Sequence, residues 1–347
     1  MRLVNIAYVE DGDVLARPLL NPNGKVLLQA GVKLTRNYID KLINMGFDTM
    51  FIEDDTFQDV EIYSAVSAKT REIAYASLEK LSSNLNESHH HNINLEDIKF
   101  AVQNIINDLL YSEDLLNNVI EIQGYDEYTY HHSVNTTIIA LLMGIALGWH
   151  SGKLLELGMG VLMHDIGKIK ISPEILNKRG PLTTEEFEEV KKHAEYGFEI
   201  LRRNRDINLL SAHVALQHQE RWDGSGYPRG LKGTEIHEYG RIAAIADVYE
   251  ALTSKRVYRQ AMQPYEAYEY VIANSDKLFE GRMIKNAFTK YITPYPTGCG
   301  VRLSNGMRGN VIKQNPAFST RPYVRMTHEG EVRLIAPIDY NLEIGRA

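Results

Sequence analysis

The sequence predicts a mainly α protein, in which a helical bundle lies between a small N-terminal α+β unit and a small C-terminal β unit. Apolar patterns with helical spacing run through residues 124 to 292, whereas short strand and turn patterns lie at both ends. The chain has 347 residues, which is more than one core usually organises. We therefore predict four segments, namely residues 1–60, 61–123, 124–292 and 293–347.

The first segment, residues 1–60, has the pattern of an α+β unit. The stretches VLARPLL and KVLLQ flank Asn21-Pro22-Asn23-Gly24, a combination that favours a hairpin turn. Thr35 is suited to cap a helix whose apolar residues recur every three or four positions. Gly46 can end that helix, and TMFIE follows as a short strand. This segment carries no pattern typical of a catalytic cluster.

Residues 61–123 are predicted to form a helical connector with a polar face. The stretch SSNLNESHHHNIN, residues 82 to 94, interrupts the helical pattern and is predicted to be a loop. His89, His90 and His91 have metal-binding side chains, but adjacent side chains in a flexible loop are not preorganised. We interpret this triplet as a solvated loop tip rather than a metal site.

The last segment, residues 293–347, is predicted to be a small β unit. The stretch GVRLSNGMRGNVIKQ has the pattern of two short strands joined by an Asn305-Gly306 turn, and PYVRMTHEGEVRLIAP repeats that pattern. The basic residues here, such as Arg302 and Arg325, are interpreted as a solvated face rather than a nucleic-acid site.

Composition and charge limit the compartment and the classes of partner. The formal net charge of -7 argues against non-specific binding to DNA or to an anionic membrane, although it leaves room for a local basic pocket. The N-terminal MRLVNIAYVEDGD does not match a signal peptide, and the apolar run from Thr136 to Trp149 is too short to span a bilayer. The single cysteine, Cys299, excludes an intrachain disulfide and a zinc site built from thiolates. These features predict a cytoplasmic protein without membrane insertion.

Four polar residues interrupt apolar helical patterns. His164 and Asp165 end the apolar stretch LELGMGVLM, His132 lies in YTYHHSVNTTIIALL, and Asp247 lies in RIAAIADVYEAL. Burying a carboxylate in such a place is costly unless the carboxylate is paired or bound to a metal. A hydrogen-bonded core aspartate remains the alternative for Asp247, but it requires buried donors.

Two more histidines border apolar helix faces. His193 lies beside the apolar stripe of LTTEEFEEVKKHAEYGFEIL, a stretch that opens with a Thr183–Glu186 capping box. His218 ends a predicted helix just before the glycine-rich stretch ERWDGSGYPRGLKG. Each of these residues alone is more often structural than a ligand. Their joint occurrence beside buried helix faces indicates a metal site.

The donor types restrict the metal and the chemistry. Imidazole and carboxylate ligands without a thiolate suit iron, manganese, zinc or nickel, and the sequence does not choose among them. Asp165 has two carboxylate oxygens and is therefore able to bridge two ions. Two bridged ions roughly 3.5–4 Å apart are the arrangement that activates a water for in-line attack on a phosphodiester.

Three blocks of the sequence, in this order, resemble the HD-GYP family of the HD phosphohydrolase superfamily. They are HDIGKIKISPEILNKRGPLTTEEFEEVKKHAEYGFEIL, HQERWDGSGYPRGLKG and RIAAIADVYEALTSKRVYR, and the resemblance covers about residues 124 to 290. It implies an HD-type helical bundle around two or three metals, often iron or manganese. It also implies hydrolysis of the bacterial second messenger cyclic di-GMP to linear pGpG, to GMP, or to both.

The resemblance also implies roles for individual residues. The implied metal ligands are His132, His164, Asp165 and Asp247 for one ion, and Asp165, His193 and His218 for a second. Lys168 would contact the phosphate and assist the leaving oxygen, so that Asp165 and Lys168 are the implied catalytic residues. Tyr227, Arg256 and Arg259 would contact the substrate together with Lys168.

Two departures from the family pattern limit the number of metals. The family usually has a His-His pair where this chain has His218-Gln219, and Gln219 is a poor ligand because it offers only a neutral carbonyl oxygen. In some members a carboxylate lies four residues before the first metal-binding histidine, where this chain has Tyr128. We therefore predict at most two divalent ions, iron or manganese before zinc or nickel, with the second position weakened or left to water.

Two alternative functions stay open. Gln219 is compatible with a weakened domain that binds cyclic di-GMP or a protein partner without turnover. Hydrolysis of another cyclic dinucleotide is the second alternative, because only family analogy links the GYP loop to cyclic di-GMP. The flanking segments contain no receiver-like phospho-acceptor site and no nucleotide-binding glycine loop, so a homodimer and a signalling protein partner also remain open.

Overall fold

The computed structural model describes residues 1–20, 26–60, 62, 64–87, 94–112, 115, 129–178, 180–254, 261–303, 306–328, 331–335 and 344–345. The chain divides into two compact units. The first unit contains residues 1–65, 113–127 and 292–347, and the second contains residues 66–112 and 128–291. The boundaries of the four predicted segments stay a prediction, but the two terminal segments share one compact unit.

The N-terminal part of the first unit combines two small antiparallel sheets with one helix. Its elements are β1 (Arg2–Asn5), β2 (Leu19–Leu20), β3 (Val26–Leu28), α1 (Arg36–Asn44) and β4 (Thr49–Ile52). Strand β1 pairs with β4, and β2 pairs with β3. Helix α1 begins as predicted, because the Thr35 hydroxyl accepts a hydrogen bond from the Tyr38 amide. The predicted hairpin turn at residues 21–24 lies outside the described residues.

A five-stranded antiparallel sheet forms the C-terminal part of the first unit. Its strands are β5 (Gly300–Leu303), β6 (Arg308–Lys313), β7 (Tyr323–His328), β8 (Glu331–Ile335) and β9 (Ile344–Gly345). Their order is β8-β7-β6-β5-β9. Val301, Val311 and Val324 belong to a small apolar core. The predicted C-terminal β unit is confirmed, while Asn305 of its predicted turn lies outside the described residues.

Direct contacts join the two terminal parts of the first unit. The Leu3 amide donates a hydrogen bond to the Gly298 carbonyl at 2.8 Å. The Arg325 guanidinium donates to both carboxylate oxygens of Asp59, each at 2.6 Å. These hydrogen bonds lower the pKa of Asp59 to about 2. Residues far apart in the sequence therefore complete one unit together.

The second unit is a bundle of helices, which confirms the mainly α fold class. Its helices are α2 (Ala68–Glu87), α3 (Glu96–Tyr111), α4 (Thr129–Ala146), α5 (Ser151–Leu162), α6 (Pro173–Leu176), α7 (Thr184–Lys191), α8 (His193–Leu201), α9 (Leu209–Gln217), α10 (Glu238–Thr253), α11 (Pro264–Ala273), α12 (Gly281–Met283) and α13 (Thr289–Tyr291). Short 3-10 turns form at Ile166–Lys170 and Gly233–Glu235, and a π-helical turn forms at Ile284–Phe288. Helix α4 packs against α5 and α10, and its residues 138–143 are all buried.

Some helix boundaries differ from the prediction. Helix α2 continues to Glu87, beyond the predicted loop start at residue 82, because Leu81 and Leu85 extend its apolar stripe. The helical pattern of residues 182–201 is divided at Lys192 into α7 and α8, and the predicted capping box forms at the start of α7. The triplet of histidines 89–91 lies outside the described residues. No helix in the described part of the chain has both the length and the apolar character needed to cross a bilayer.

Candidate metal centre

The second unit brings the six predicted metal ligands together. They are His132 in α4, His164 and Asp165 in the turn after α5, His193 at the start of α8, His218 at the end of α9, and Asp247 in α10. All six residues are buried, and the most exposed of them, Asp247, is only 7% exposed. Four helices and one turn thus place imidazoles and carboxylates in a water-excluded interior.

The first triad consists of His132, His164 and Asp165, whose ligand atoms lie within 4.8 Å of one another. The Nε2 atoms of the two histidines are 3.2 Å apart. Asp165 Oδ2 lies 3.7 Å from His132 Nε2 and 3.4 Å from His164 Nε2. Asp247 Oδ1 lies 3.1 Å from His132 Nε2 and 3.9 Å from His164 Nε2. We call the first triad together with Asp247 the first metal position.

The second triad consists of Asp165, His193 and His218, and its ligand atoms also lie within 4.8 Å of one another. The Nε2 atoms of its two histidines are 3.1 Å apart. Asp165 Oδ1 lies 3.5 Å from His193 Nε2 and 3.7 Å from His218 Nε2. We call this triad the second metal position. The two oxygens of Asp165 face different pairs of histidines, as a bridging carboxylate requires.

Three of the four histidines are oriented by backbone carbonyls. The Nδ1 atom lies 2.7 Å from the Val161 carbonyl in His164, 2.7 Å from the Val190 carbonyl in His193, and 3.0 Å from the Ala215 carbonyl in His218. A carbonyl only accepts hydrogen bonds, so each Nδ1 carries the proton and each Nε2 presents a lone pair. This is the tautomer that binds a metal through Nε2.

The fourth histidine, His132, has a carboxylate partner instead. Its Nδ1 forms a short hydrogen bond with Glu250 Oε2, and the Ser254 hydroxyl donates to Glu250 Oε1 at 2.6 Å. Glu250 is 2% exposed and lies one helical turn after Asp247. Glu250 is not among the site residues predicted from the sequence. Its signal was an acidic residue three positions after Asp247, which places both carboxylates on the same face of α10.

The donor atoms fit divalent metal ions. Within each pair of histidines, the two Nε2 atoms lie 3.2 or 3.1 Å apart, an arrangement that a positive ion between them stabilises. Asp165 Oδ1 is buried and has no hydrogen-bond partner among the described residues. Imidazole nitrogens and carboxylate oxygens without thiolates suit first-row divalent ions. These buried clusters therefore favour divalent metal binding, without selecting one metal.

The protonation states agree with this fit. Burial raises the pKa of Asp165, but the Lys168 ammonium and the neighbouring imidazoles outweigh burial and hold the pKa well below its usual range. Burial raises the pKa of Asp247 as well, but the contact with His132 outweighs burial and lowers that pKa. Burial also lowers the pKa values of His164, His193 and His218, most strongly that of His218. Anionic carboxylates and neutral imidazoles are the forms that bind metal.

Lys168 lies beside the shared carboxylate. Its ammonium is 2.5 Å from Asp165 Oδ2, and its side chain is 21% exposed, so it faces both the centre and solvent. The turn that holds both residues packs tightly on α8. A Cβ atom on Gly167 would lie 1.9 Å from the His193 carbonyl oxygen, so glycine is required there. Gly167 thus permits the close approach of the turn that carries Asp165 to the start of α8, which carries His193.

The glycine-rich loop, residues 219–233, covers the second triad. The Tyr227 ring centroid lies 6.2 Å from that of His193, and burial raises the pKa of the Tyr227 phenol, which stays protonated. Glu220, which the sequence analysis missed, is 1% exposed and accepts hydrogen bonds from the Arg229 and Leu231 amides at 2.8 and 3.0 Å. This buried carboxylate anchors the loop by satisfying its backbone donors.

The remaining predicted residues divide into two groups. Gln219 lies at the centre, but its amide contacts Asp247 and Arg221. Arg256 and Arg259, predicted to bind phosphate, lie outside the described residues, as does Tyr128. The individual roles assigned to the site residues therefore stay predictions, although the structure brings the six ligands and Lys168 together.

Comparison with known proteins relates the metal centre and its helices to a known family. A family model described as "HD domain" matches residues 114–283. The matched residues, just under half of the chain, are therefore similar to the HD domain family. The predicted relationship to HD-GYP proteins is confirmed as well, because curated relatives of this HD domain carry the name cyclic di-GMP phosphodiesterase.

Two of these relatives show how far the similarity extends. A Pseudomonas aeruginosa protein named cyclic di-GMP phosphodiesterase PA4108 is 33% identical over 246 residues, which cover 71% of this chain and 59% of that protein. A Thermotoga maritima protein named cyclic di-GMP phosphodiesterase is 40% identical over 184 residues, covering 51% of this chain and 50% of that protein. The chain thus spans between 50% and 59% of the length of these relatives.

A solved structure supports the fold. Bd1817, an HDG"Y"P protein from Bdellovibrio bacteriovorus, superposes with a TM-score of 0.53 at 17% sequence identity. The match covers 82% of this chain and 97% of that chain. The predicted HD-type helical fold is therefore confirmed.

Proposed function

We propose that the protein is a metal-dependent phosphodiesterase that hydrolyses cyclic di-GMP to linear pGpG, to GMP, or to both. The observation that carries the proposal is the pair of buried triads that share Asp165. Each carboxylate oxygen of Asp165 faces a different pair of histidines. The names of the relatives from Pseudomonas aeruginosa and Thermotoga maritima support cyclic di-GMP as the substrate.

The chain offers ligands for two ions. His132, His164, Asp165 and Asp247 would hold the first, and Asp165, His193 and His218 would hold the second. The chemistry supplied by bound ions is a nucleophile at neutral pH and neutralisation of phosphate charge. The resemblance to HD-GYP proteins favours iron or manganese, and the donor set is also compatible with zinc or nickel.

Residues around the two metal positions would handle the substrate. The Lys168 ammonium, next to Asp165, would donate a hydrogen bond to a phosphate or leaving oxygen. The protonated Tyr227 phenol, beside His193, would be a neutral donor for the same phosphate. Arg256 and Arg259 would bind the phosphates through the forked geometry of their guanidinium groups.

Metal content and turnover test the proposal together. The purified full chain is depleted with a chelator, reloaded with Mn²⁺ or Fe²⁺ under reducing conditions, and analysed for bound metal and for cyclic di-GMP hydrolysis. We expect two ions per chain, turnover that depends on them, and Asp165→Ala activity no higher than that of the metal-free protein. Asp206→Ala, which changes an exposed aspartate, is the matched control and should behave like the wild type.

Product and substrate panels separate the alternatives. Chromatography of the products distinguishes pGpG from GMP, and a panel of cyclic dinucleotides tests hydrolysis of another member of this class. Tight binding of cyclic di-GMP without any product, under every metal tested, would contradict the enzyme and favour a binding module.

A further inference from the structure

Gln219 occupies the place where the family usually has a second histidine, yet its contacts differ from those of a metal ligand. Its Nε2 donates a hydrogen bond to Asp247 Oδ2 at 2.9 Å. Its Oε1 accepts a hydrogen bond from the Arg221 guanidinium at 3.2 Å. The neighbouring His218 points its Nε2 at Asp165 instead, so the two adjacent residues serve different carboxylates.

The orientation of the Gln219 amide is determined by both of its neighbours. The ionised Asp247 carboxylate only accepts hydrogen bonds, so it requires the amide NH₂ group. The Arg221 guanidinium only donates, so it requires the amide oxygen. Arg221 also donates to the carbonyls of His218 and Glu220, at 3.1 and 2.9 Å, which holds it at the end of α9. The side-chain oxygen of Gln219, its only metal-binding atom, is therefore already hydrogen-bonded to the Arg221 guanidinium.

The hydrogen bond from Gln219 gives the two carboxylate oxygens of Asp247 different partners. Oδ2 is taken up by Gln219, while Oδ1 lies 3.1 Å from His132 Nε2. A carboxylate whose second oxygen is hydrogen-bonded elsewhere presents one oxygen to a metal, in a fixed orientation. Gln219 therefore acts on the first metal position, although the sequence comparison had associated it with the second.

We propose that Gln219 is a positioning residue for Asp247, which holds Oδ1 toward the first metal position and is not itself a metal ligand. This inference rests on the proposed two-metal function. The second metal position keeps its own ligands, Asp165, His193 and His218, and none of them contacts the Gln219 side chain through a described hydrogen bond.

Binding of Co²⁺ to two engineered backgrounds of the full chain separates the two positions. The double variant His193→Ala/His218→Ala keeps all ligands of the first position. The double variant His132→Ala/His164→Ala keeps the complete second triad. Gln219→Met, which keeps the size of the side chain and removes both hydrogen bonds, is added to each background. Co²⁺ affinity is measured by calorimetric and absorption titration of metal-free protein, and thermal unfolding establishes that each variant is folded.

We expect Gln219→Met to reduce Co²⁺ affinity only in the background that keeps the first metal position. Gln219→Met should weaken Co²⁺ binding by about tenfold to a hundredfold where only the first position remains, the usual effect of removing an outer partner of a ligand. It should change binding less than about twofold where only the second triad remains. Gln217→Met is the matched control, because this buried glutamine accepts from the His237 amide, and it should change neither affinity.

Other outcomes overturn the inference in distinguishable ways. A loss confined to the second triad would make Gln219 a ligand of the second ion, and equal losses or no loss in both backgrounds would also contradict the proposed role. Gln219→Leu repeats the measurement if the methionine variant does not fold. A wild-type chain that binds no Co²⁺ would overturn the metal centre itself, whereas two wild-type ions with an insensitive Gln219 overturn this inference alone.

Discussion

The two metal positions are built from similar ligands but are oriented by different means. In the second position, His193 and His218 direct Nδ1 at the carbonyls of Val190 and Ala215, each three residues earlier in the chain. In the first position, His132 depends on Glu250, and Asp247 depends on Gln219. The histidines of the second position are thus oriented by local backbone alone, whereas in the first position only His164 is, and His132 and Asp247 contact side chains from distant segments.

The difference follows from where each histidine lies in its helix. The last carbonyls of a helix have no partner within the helix, so a histidine at that end finds an acceptor close by. His193 and His218 each follow such an end. His132 lies within α4, where backbone carbonyls are engaged in helical hydrogen bonds, and it therefore requires an acceptor from α10. We expect the first position to be sensitive to side-chain substitutions that leave the second unaffected.

The largest expected effect comes from the ligand that the two positions share. Asp165→Asn should weaken Mn²⁺ binding at both positions by more than about a hundredfold, because both ions lose the same negative charge. Losing a residue that only orients a ligand costs up to about a hundredfold, and the loss of a direct ligand should exceed that. His132→Ala and His218→Ala should each reduce the stoichiometry from two ions to one. Metal analysis after dialysis checks this, and an Asp165→Asn protein that retains two ions would show that the positions are independent.

Glu250 tests the long-range support of the first position. Glu250→Ala should weaken binding of the first ion by about tenfold to a hundredfold, because His132 loses the acceptor that orients it. Glu250→Gln keeps an acceptor oxygen and should have a smaller effect. Mn²⁺ titration followed by paramagnetic resonance measures each step separately. An equal loss at both positions would indicate general destabilisation instead of orientation of His132.

The metal-free protein should lose stability in mild acid. Burial lowers the pKa of His218 well below its ordinary value of 6.5, and those of His164 and His193 in the same direction. Below pH 6.5 the unfolded chain binds protons that the folded chain does not, so the free energy of unfolding decreases as pH falls. Each such histidine contributes a slope of up to about 1.4 kcal/mol per pH unit.

Urea unfolding in chelator between pH 5 and pH 8 measures this slope. His218→Gln removes one of the titrating groups and should flatten the dependence. A slope that is the same in the wild type and in His218→Gln would contradict the buried, neutral state of His218.

The smallest expected effect concerns the partner of Glu250. Ser254→Ala removes one hydrogen bond to Glu250 Oε1, worth about 1 kcal/mol, and should weaken the first ion by about fivefold. Binding of the second ion should not change, and calorimetric titration resolves the two. Unchanged affinity for the first ion would mean that the Ser254 hydroxyl is not needed to hold Glu250 in place.

The sequence by itself determined those features that depend on local hydrogen bonds and periodicity. Thr35 and Thr183 begin helices as predicted, and His218 ends one, because capping needs only neighbouring residues. The six ligands were recognisable as polar residues within apolar patterns, since a buried charge requires a partner. The C-terminal β unit was recognisable from alternation and its turn residues.

Only the tertiary structure decided which distant residues complete the metal centre. Glu250 lies 118 residues from its partner His132, and Gln219 lies 28 residues from Asp247. Arg325 likewise meets Asp59 across 266 residues, and so joins the two ends of the chain in one unit. No local pattern encodes these pairings, because a hydrogen bond between side chains depends on how helices and strands pack and not on spacing along the chain. The role of Gln219 changed for this reason, from a weak ligand to a support for Asp247.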